Sequence, residues 1–326
     1  MHIKRLLKMN IKHLRTFITI LETQNLTKAA AVLNVVQPAV TRQIQILEEE
    51  LGVRLFNRSR HGMTLTDDGK VLEPYARRIL NEVENAKLEL TANIGSMRGK
   101  VHIGVLSSIS ELLSSLIMTL IKERYPQVQI KISVGYSGHL KEWLEAGDID
   151  LALMYDSTPS KLIDLTPLVK EPLLLIGSAR SYIKDSKILE IKKIEKLPLI
   201  LPFHPHRLRS LIEQAYKESG ANLNIYAETN DLNVQKKLVI QDFGYTILPL
   251  VSVESEHQLG LVKVNRISDP SFFRIITLAT HSTRSLPKHQ MLISREIIHC
   301  IEKSIQDNKW ANAEWIYRKV ISTKSF

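Results

Sequence analysis

The sequence predicts an α+β multidomain protein with a helical N-terminal domain, a long linking helix and a larger α/β domain. Before residue 95 the apolar residues recur with helical spacing, and the segment GSMRGKVHIGV at 95–105 breaks that pattern. After this break the short β-rich runs KVHIGV, VQIKISV, IDLALMY and PLLLIG alternate with helical stretches. Strands separated by helices are typical of an α/β domain with much parallel pairing.

The charge of the chain is positive and unevenly distributed. Its 326 residues carry a formal net charge of +10, and 44% are hydrophobic and 24% charged. That composition excludes a largely disordered chain and a collagen-like one. Residues 1–67 hold 10 Lys and Arg against 5 Asp and Glu, which is half of the net charge. This asymmetry favours a nucleic-acid partner at the N-terminal end, although charge alone leaves a solvated basic face open.

The sequence lacks the common signatures of enzymes, metal sites and secreted proteins. Cys300 is the only cysteine, so neither a disulfide framework nor a two-cysteine redox switch is predicted. No apolar run reaches the roughly 18 residues of a membrane span, and MHIKRLLKMN has no apolar signal region. There is no P-loop, no GxGxxG after a strand, no GxSxG, no HExxH and no metal-ligand spacing among the 11 histidines. We predict a cytoplasmic protein, not an enzyme, without cofactor or metal, that starts at Met1 or Met9.

Three helices are predicted before residue 53. One face of the first helix carries Leu14, Phe17, Ile18 and Leu21. Thr27 is a good N-cap for the second helix, KAAAVLN. The third helix is predicted to begin at Pro38, because proline is favoured at the first helical position, and to end at Gly52. Its predicted buried stripe is Val36, Val40, Ile44, Leu47 and Leu51.

The second and third helices together indicate a helix-turn-helix. The outward residues at the start of the third helix are polar or small, which suits base edges and phosphates in the major groove. The segment RLFNRSRHGMTLT predicts a β hairpin with its turn near residues 59–62, a wing that would contact the DNA backbone or minor groove. The predicted DNA contacts are Thr27, Gln37, Pro38, Ala39, Thr41, Arg42, Gln45, Arg58, Arg60 and His61. Periodicity alone leaves open an ordinary three-helix core with a surface arginine cluster.

A long helix is predicted after the hairpin. Thr66 can cap it, with Asp67 and Asp68 at the positive end of the helix dipole. Apolar residues then recur as an a/d seam over nearly three heptads: Leu72, Ala76, Ile79, Val83, Ala86 and Leu90. We predict that this seam forms a dimer interface, which would place two recognition helices on a pseudo-palindromic site. Packing of the helix on its own domain is the alternative.

Polar residues follow the predicted strands of the α/β domain. Ser107 and Ser108 follow the first strand and begin a helix, and Ser137 follows the second strand. Hydroxyl and free N–H groups at two helix N-termini form an anion site, unless the serines serve only as helix caps. PLLLIG begins a second lobe and FFRIITLAT returns the chain to the first. In the second lobe Arg209, with His206, is the predicted anion ligand, and an arginine on the helix surface is the alternative.

The N-terminal motifs together resemble the winged helix-turn-helix of LysR-type transcriptional regulators. The matching segments are LRTFITILETQNLTKAAAVLNVVQPAVTRQIQILEEELGVRLFNRS and LTDDGKVLEPYARRIL. The resemblance continues to about residue 303 and implies a sequence-specific regulator controlled by a small-molecule effector, here predicted to be an anion. It also implies promoter DNA, a co-inducer and RNA polymerase as partners, and a homodimer that assembles to a homotetramer. GDIDLALMYD and PLVKEPLLLIG resemble the branch of nitrogen assimilation control proteins.

With this resemblance the chain divides into four predicted parts. They are a winged helix-turn-helix at 1–67, a linker helix at 68–98, an effector-binding domain at 99–303 and an extension at 304–326. The resemblance implies that the effector-binding domain is two-lobed like type 2 periplasmic binding proteins, with lobe I at about 99–169 and 280–303 and lobe II at about 170–279. In that family the inducer binds between the lobes. The predicted effector contacts are Ser107, Ser108, Ser137, Gly138, His204, Arg209, Thr229 and Asn230.

Two features depart from the family pattern. QDFGYTILP stands where the family often has Ala-Gly-x-Gly, so a bulkier turn is expected. Residues 304–326 extend past the usual end and include Trp310 and Trp315. Ile316 and Val320 share a helical face with Ala313, which predicts a short amphipathic helix, with a disordered tail as the alternative.

The competing function is a solute-binding protein for transport. That interpretation lacks an export signal and leaves the first 98 residues without a role. The sequence analysis therefore favours a ligand-responsive DNA-binding regulator.

Overall fold

The computed structural model describes residues 9–59, 62–91, 97–155, 160–269, 272–282 and 286–318. The chain forms two units, the first made of Met1–Ser96 and Glu145–Asp148 and the second of Met97–Leu144 and Ile149–Phe326. Each unit has its own hydrophobic core. In the described part of the chain, no helix is long and apolar enough to cross a lipid bilayer.

The N-terminal unit combines helices with a β hairpin. Its elements are α1 (Ile11–Thr23), α2 (Leu26–Val32), α3 (Gln37–Leu51), β1 (Phe56–Ser59), β2 (Gly62–Leu65) and α4 (Asp67–Thr91). The apolar faces of α1 and α3 form the core, where Phe17 and Leu47 are fully buried. Phe17 also contacts Phe56 of the hairpin, with ring centroids 5.2 Å apart. The predicted helices and antiparallel hairpin are confirmed.

Two predicted details of the helix starts are wrong. Asn25, not Thr27, caps α2, and its side chain accepts a hydrogen bond of 2.8 Å from the Thr27 backbone N–H. The third helix begins at Gln37, one residue before Pro38, and Val36 is its N-cap. Val36 is 71% exposed and does not belong to the buried stripe, because an N-cap residue has non-helical dihedrals. Pro38 still lies in the first turn, where its missing N–H breaks no helical hydrogen bond.

The apolar seam of α4 divides between two environments. The helix begins as predicted, with the Thr66 hydroxyl accepting a hydrogen bond of 3.0 Å from the Gly69 N–H. Ala76 is fully buried in the core of its own unit and Leu72 packs against that core, so neither lies on an exposed seam. Among the described side chains of α4, the large apolar ones that are exposed are Val71, Tyr75, Ile79 and Leu90. Leu72 and Ala76 are therefore wrong as exposed seam residues, and Val71 and Tyr75 are exposed on the same turns of the helix instead.

The second unit is a two-lobed α/β structure. In chain order its elements are β3 (Gly99–Leu106), α5 (Ser107–Arg124), β4 (Val128–Gly135), α6 (Ser137–Ala146), β5 (Leu151–Tyr155), β6 (Ile163–Pro172), β7 (Leu174–Ser178), β8 (Ile188–Leu189), α7 (Ile191–Ile194), β9 (Leu199–Leu201), α8 (Arg207–Glu218), β10 (Ile225–Glu228), α9 (Leu232–Ile240), β11 (Thr246–Leu248), α10 (Glu254–Gln258), β12 (Val262–Ile267), β13 (Phe273–His281), α11 (Lys288–Gln306) and β14 (Glu314–Trp315). Lobe I contains a sheet in the order β14-β6-β13-β5-β3-β4. In this sheet β3 is parallel to β4 and β5, whereas β13 is antiparallel to β5 and β6.

Lobe II is connected to lobe I by two adjacent segments. It contains the sheet β11-β7-β12-β8 and the parallel pair β9-β10. The chain leaves lobe I after β6 and returns at β13, and Pro172 pairs with Phe273 where these two strands meet. All of β13 belongs to the sheet of lobe I, so the chain returns at Phe273 rather than near residue 280. The two crossings lie side by side, and a cleft lies between the lobes.

The chain after α11 is a strap rather than the predicted amphipathic helix. We call residues 307–318 the C-terminal strap. Its strand β14 pairs antiparallel with β6, and the Ile316 N–H donates to the Leu168 carbonyl at 3.0 Å. The edge of β6 offers unpaired backbone groups, and a strand satisfies these groups where a helix would not. Val320, on which the helix prediction also depended, lies outside the described residues.

Candidate DNA-binding surface and effector cleft

The first turns of α3 present the residues that the sequence predicts to contact DNA. Gln37, Pro38, Arg42 and Gln45 are exposed, and Ala39 and Thr41 are half-buried. The Gln37 amide donates to the Thr41 hydroxyl at 2.9 Å, which orders two side chains at the start of the helix. Thr27 is exposed on the first turn of α2. These positions form an outward polar face on a helix whose opposite face is buried.

Arg42 and Arg58 have no ionic partner among the described residues of this unit. Arg42 on α3 and Arg58 on β1 are exposed and form no ion pair with another residue in the described ranges. An exposed guanidinium without a carboxylate partner can bind a phosphate or a guanine edge without first breaking a salt bridge. Arg60 and His61, the other predicted wing contacts, lie outside the described residues.

The wing is anchored to the helices by buried polar contacts. The buried Glu48 carboxylate on α3 accepts a hydrogen bond of 2.8 Å from the Leu55 N–H, just before β1. On the other strand, the Met63 N–H donates to the Gln24 carbonyl at 3.0 Å. A Cβ atom at Gly62 would lie 2.6 Å from that same carbonyl, and Gly62 has a positive φ of 118°, so only glycine suits this position. The orientation of the hairpin on α1 and α3 is thus fixed.

The cleft of the second unit lies between its two lobes. It is lined by Leu106, Ser107, Ser108, Tyr136, Tyr155, Pro202, His206, Leu208, Thr229, Asn230, Leu232, Gln235, Leu248 and Arg274. Its free volume is only about 30 Å³, room for little more than ordered water. A ligand larger than a few atoms therefore requires the residues that line the cleft to move apart.

Arg274 is the only arginine or lysine that lines the described cleft. It lies on β13 and is 2% exposed. Its Nε and Nη2 atoms each lie 2.6 Å from Oε1 of the buried Glu171, and Nη2 also donates to the Ser108 hydroxyl at 2.7 Å. The guanidinium stacks over the Tyr155 ring, 4.9 Å from its centroid. Nη1 has no hydrogen-bond partner among the described residues, so Arg274 keeps donors for a ligand.

The N-terminus of α5 faces the same cleft. Leu106 is its N-cap residue and supplies no side-chain cap, so Ser107 and Ser108 do not act as N-caps. The N–H groups of the first turn have no helical partner, and the helix dipole places a partial positive charge there. Together with Arg274, this end of α5 makes the wall of the cleft attractive to an anion.

His206 is held neutral at the opposite wall. Its Nδ1 accepts a hydrogen bond of 3.2 Å from the Leu208 N–H at the start of α8 and lies 3.4 Å from the Tyr155 hydroxyl. The neutral ring therefore carries its proton on Nε2. Burial lowers the pKa of His206 to about 4, and the positive charges of Arg274 and His139 add to the effect.

This low pKa predicts a loss of stability in mild acid. The unfolded chain binds a proton at His206 near pH 6.5, whereas the folded chain binds it only near pH 4, so acid favours unfolding within that window. Because of His206, the free energy of unfolding of the second unit should fall by about 2 kcal/mol between pH 7 and pH 5. Urea unfolding followed by tryptophan fluorescence measures this unit alone, since Trp143, Trp310 and Trp315 all belong to it. His206→Asn keeps a capping acceptor without a titrating ring and should remove most of the difference, and an unchanged difference in that variant would contradict the assignment.

The structure brings together half of the predicted effector contacts. Ser107, Ser108, Thr229 and Asn230 line the cleft. Ser137, Gly138, His204 and Arg209 do not. The buried Ser137 hydroxyl instead accepts a hydrogen bond of 3.1 Å from the Tyr155 N–H, and Gly138 is exposed on the first turn of α6.

Arg209 already forms ion pairs with two neighbouring carboxylates. Its Nε donates to Glu213 and its Nη1 to Glu228, both at 2.7 Å. Exposed His204 lies 3.2 Å from the same Glu213. Glu213 lies four residues after Arg209, a spacing at which opposite charges on a helix pair, so the sequence already indicated it as a partner. The sequence did contain one signal for Arg274, which is the lone charge in the apolar run FFRIITLAT, but its partner Glu171 is 103 positions away.

Cys300 has the environment of a structural thiol. It is 8% exposed on α11, beside a surface groove between α5 and α11. Burial raises the pKa of this thiol, and the negative charge of Glu296 raises it further. A disfavoured thiolate reacts slowly with oxidants, so the site does not resemble a redox sensor. No group of three or more potential metal ligands is present among the described residues.

Comparison with known proteins identifies both domains of the chain. Residues 11–70 match the bacterial regulatory helix-turn-helix proteins of the lysR family, and residues 95–294 match the LysR substrate binding domain. The chain is 28% identical to the transcriptional regulator BbuR of Bordetella bronchiseptica, over 91% of each chain. It is 27% identical to the nitrogen assimilation regulatory protein nac of Klebsiella aerogenes, over 92% of this chain and 98% of that one.

A solved structure gives the same fold. Full-length OxyR of Pseudomonas aeruginosa, as a point variant, superimposes with a TM-score of 0.72 at 22% identity, covering 90% of this chain and 95% of that one. Both domains match in order, and together they span most of the sequence. The chain therefore belongs to the LysR family of helix-turn-helix transcription regulators.

Proposed function

We propose that this regulator responds to a small oxyanion, either a carboxylate or an inorganic oxyanion, bound between its lobes. The observation that carries the proposal is Arg274, a buried cation whose Nη1 has no described protein partner and which lines the cleft. The uncapped N-terminus of α5 supplies further donors on the same side. Ser107, Ser108, Thr229 and Asn230 add hydroxyl and amide groups that can orient the ligand.

Arg274 replaces Arg209 as the effector ligand in this proposal. Both guanidiniums are buried and paired, but Arg209 points its donors at Glu213, Glu228 and the Pro202 carbonyl. Arg274 has a single carboxylate partner and borders the cleft. A ligand therefore gains donors from Arg274 without displacing a protein carboxylate.

The DNA-binding unit acts through α3 and the wing. We assign base contacts to Gln37, Ala39, Thr41, Arg42 and Gln45, and backbone contacts to Arg58, with Arg60 and His61 beside it. The exposed apolar residues of α4 form the dimer contact, and dimers pair into a homotetramer on promoter DNA. Effector binding opens or closes the lobes, changes the spacing of the DNA-binding pairs and so alters access of RNA polymerase, in the cytoplasm.

Removing the charge of Arg274 should strongly weaken the binding of an anion in the cleft. The double variant Glu171→Gln/Arg274→Gln keeps a hydrogen-bonded pair of similar size but removes both charges, so no unpaired charge is left buried. Titration calorimetry of the full-length protein with sodium sulfate, at ionic strength held constant with chloride, should show an affinity about tenfold or more below wild type. The control is Arg209→Gln/Glu213→Gln, which neutralises the other buried guanidinium and one of its two partly exposed carboxylate partners. Loss of sulfate binding in that control, with normal binding in the first variant, would return the role to Arg209.

A further inference from the structure

The C-terminal strap is attached to the strand that carries Glu171. Glu314 and Trp315 of β14 pair with Lys170 and Val169 of β6, directly before Glu171 in the sequence. Before β14, the Trp310 backbone N–H donates to the Ser304 carbonyl at 3.1 Å, which fixes the start of the strap against α11. The strap is therefore held at both ends, and its position is coupled to β6.

Trp310 extends from this strap into the core. It is 1% exposed and is among the largest fully buried side chains of the protein. Its indole Nε1–H donates to Glu171 Oε2 at 3.0 Å. A buried indole N–H needs an acceptor, and here the acceptor is the carboxylate that binds Arg274.

The two oxygens of Glu171 are divided between two donors. Oε1 accepts from Arg274, and Oε2 accepts from Trp310. The indole therefore fixes the rotation of the carboxylate, and the carboxylate fixes the plane of the guanidinium. With that plane fixed, Nη2 contacts Ser108 at the start of α5 and Nη1 remains available to the cleft.

We propose that Trp310 is a positioning residue for effector binding, through which the C-terminal strap sets the orientation of Arg274 in the cleft. The inference rests on the proposed function, because it assumes that Arg274 binds the effector. Trp310 does not line the cleft itself and acts only through Glu171. The strap is thus part of the effector site, although it follows the residues 95–294 that match the family domain.

The variant Trp310→Phe separates positioning from packing. It keeps an aromatic ring in the core but removes the indole N–H that donates to Glu171. Trp315→Phe is the matched control on the same strap, because Trp315 is only half-buried and packs against Tyr317, with ring centroids 5.7 Å apart. In the sulfate titration, Trp310→Phe should weaken binding by about tenfold or more, the order of effect expected when one hydrogen bond to a charged group is lost. Trp315→Phe should stay within about twofold of wild type.

A spectroscopic signal tests the same coupling in the protein with its wild-type sequence. The chain has three tryptophans, so 5-fluorotryptophan labelling gives three ¹⁹F resonances, assigned by single Trp→Phe changes. Sulfate should shift the Trp310 resonance of the wild-type protein although the ion does not touch it. That shift should vanish in Glu171→Gln/Arg274→Gln.

The outcomes separate the two proposals. If Glu171→Gln/Arg274→Gln binds sulfate like wild type, the anion site at Arg274 is wrong. If that variant loses binding while Trp310→Phe matches Trp315→Phe and the Trp310 resonance does not respond to sulfate, the anion site stands and the positioning role of Trp310 is wrong. Weaker binding in Trp310→Phe, with unchanged DNA affinity and a responding resonance, supports the proposal.

Discussion

Replacing Arg42 with alanine is expected to remove most of the preference of this protein for its own site, whereas Arg58→Ala should weaken binding to all DNA. Arg42 is exposed near the start of α3, the helix that enters the major groove in a helix-turn-helix. A bidentate contact from arginine to guanine contributes about 1–3 kcal/mol of discrimination, which is roughly a 5- to 150-fold change in the specificity ratio. Arg58 lies on β1 of the wing, where a phosphate contact carries no sequence information.

The two arginines are distinguished by specificity and by salt dependence. Both variants are measured by fluorescence anisotropy on the upstream intergenic DNA of the gene and on a scrambled duplex. Arg42→Ala should lower the ratio of the two affinities. Arg58→Ala should keep the ratio and reduce the slope of log affinity against log salt by about one. Equal losses on both duplexes for both variants would refute this division of roles.

Replacing Glu171 with alanine is expected to lower the free energy of unfolding of the second unit more than any other substitution proposed for this protein. Glu171 is 2% exposed, and it is the partner of both the Arg274 guanidinium and the Trp310 indole. Glu171→Ala leaves a buried charge without a partner and a buried N–H without an acceptor. Breaking a buried pair in this way costs about 3–5 kcal/mol.

The double variant with both charges removed is the control for this prediction. Urea unfolding followed by tryptophan fluorescence reports the second unit, because it contains all three tryptophans. Glu171→Gln/Arg274→Gln should lose far less stability than Glu171→Ala, because it leaves no unpaired charge. Similar losses in the two variants would mean that the volume of the side chains, and not the ion pair, stabilises this part of the core.

Local patterns in the sequence were sufficient for most of the N-terminal unit. The stripe of Val40, Ile44 and Leu47 and the stop at Gly52 were predicted from helical spacing and glycine conformation, and both are observed. The choice of Asn25 over Thr27 as the cap of α2 was not predicted, since both are good N-cap residues and two positions separate them. Val36 was misassigned because it continues the apolar period but lies just before the helix begins.

The effector cleft was harder to predict, because its key contacts join distant parts of the chain. Ser107 follows a strand and was predicted from that pattern, since strand ends border the cleft of α/β folds, whereas Thr229 was predicted from the family resemblance. Arg274 pairs with a residue 103 positions away, and Trp310 with the same residue 139 positions away. The periodicity of apolar residues along a helix or strand does not indicate contacts between residues so far apart in the sequence. The sequence analysis therefore favoured Arg209 in a polar turn over Arg274 in an apolar strand.

The strap shows how tertiary contacts override a local pattern. Ala313 and Ile316 have helical spacing, yet a two-residue strand forms at Glu314–Trp315 because β6 has a free edge. Short segments gain little from helix formation alone, since the first turn is costly to nucleate. Pairing with an existing sheet and burial of Trp310 decide the conformation instead.

The most direct test of the whole account is the anisotropy of the wild-type protein on its own upstream intergenic DNA, with scrambled competitor DNA, over a salt series. We expect binding that survives excess competitor and falls steeply as salt rises, because a specific site adds base contacts to several phosphate contacts. Equal affinity for the scrambled duplex at every salt concentration would contradict sequence-specific recognition by α3 at that site and leave only general attraction between a basic protein and DNA.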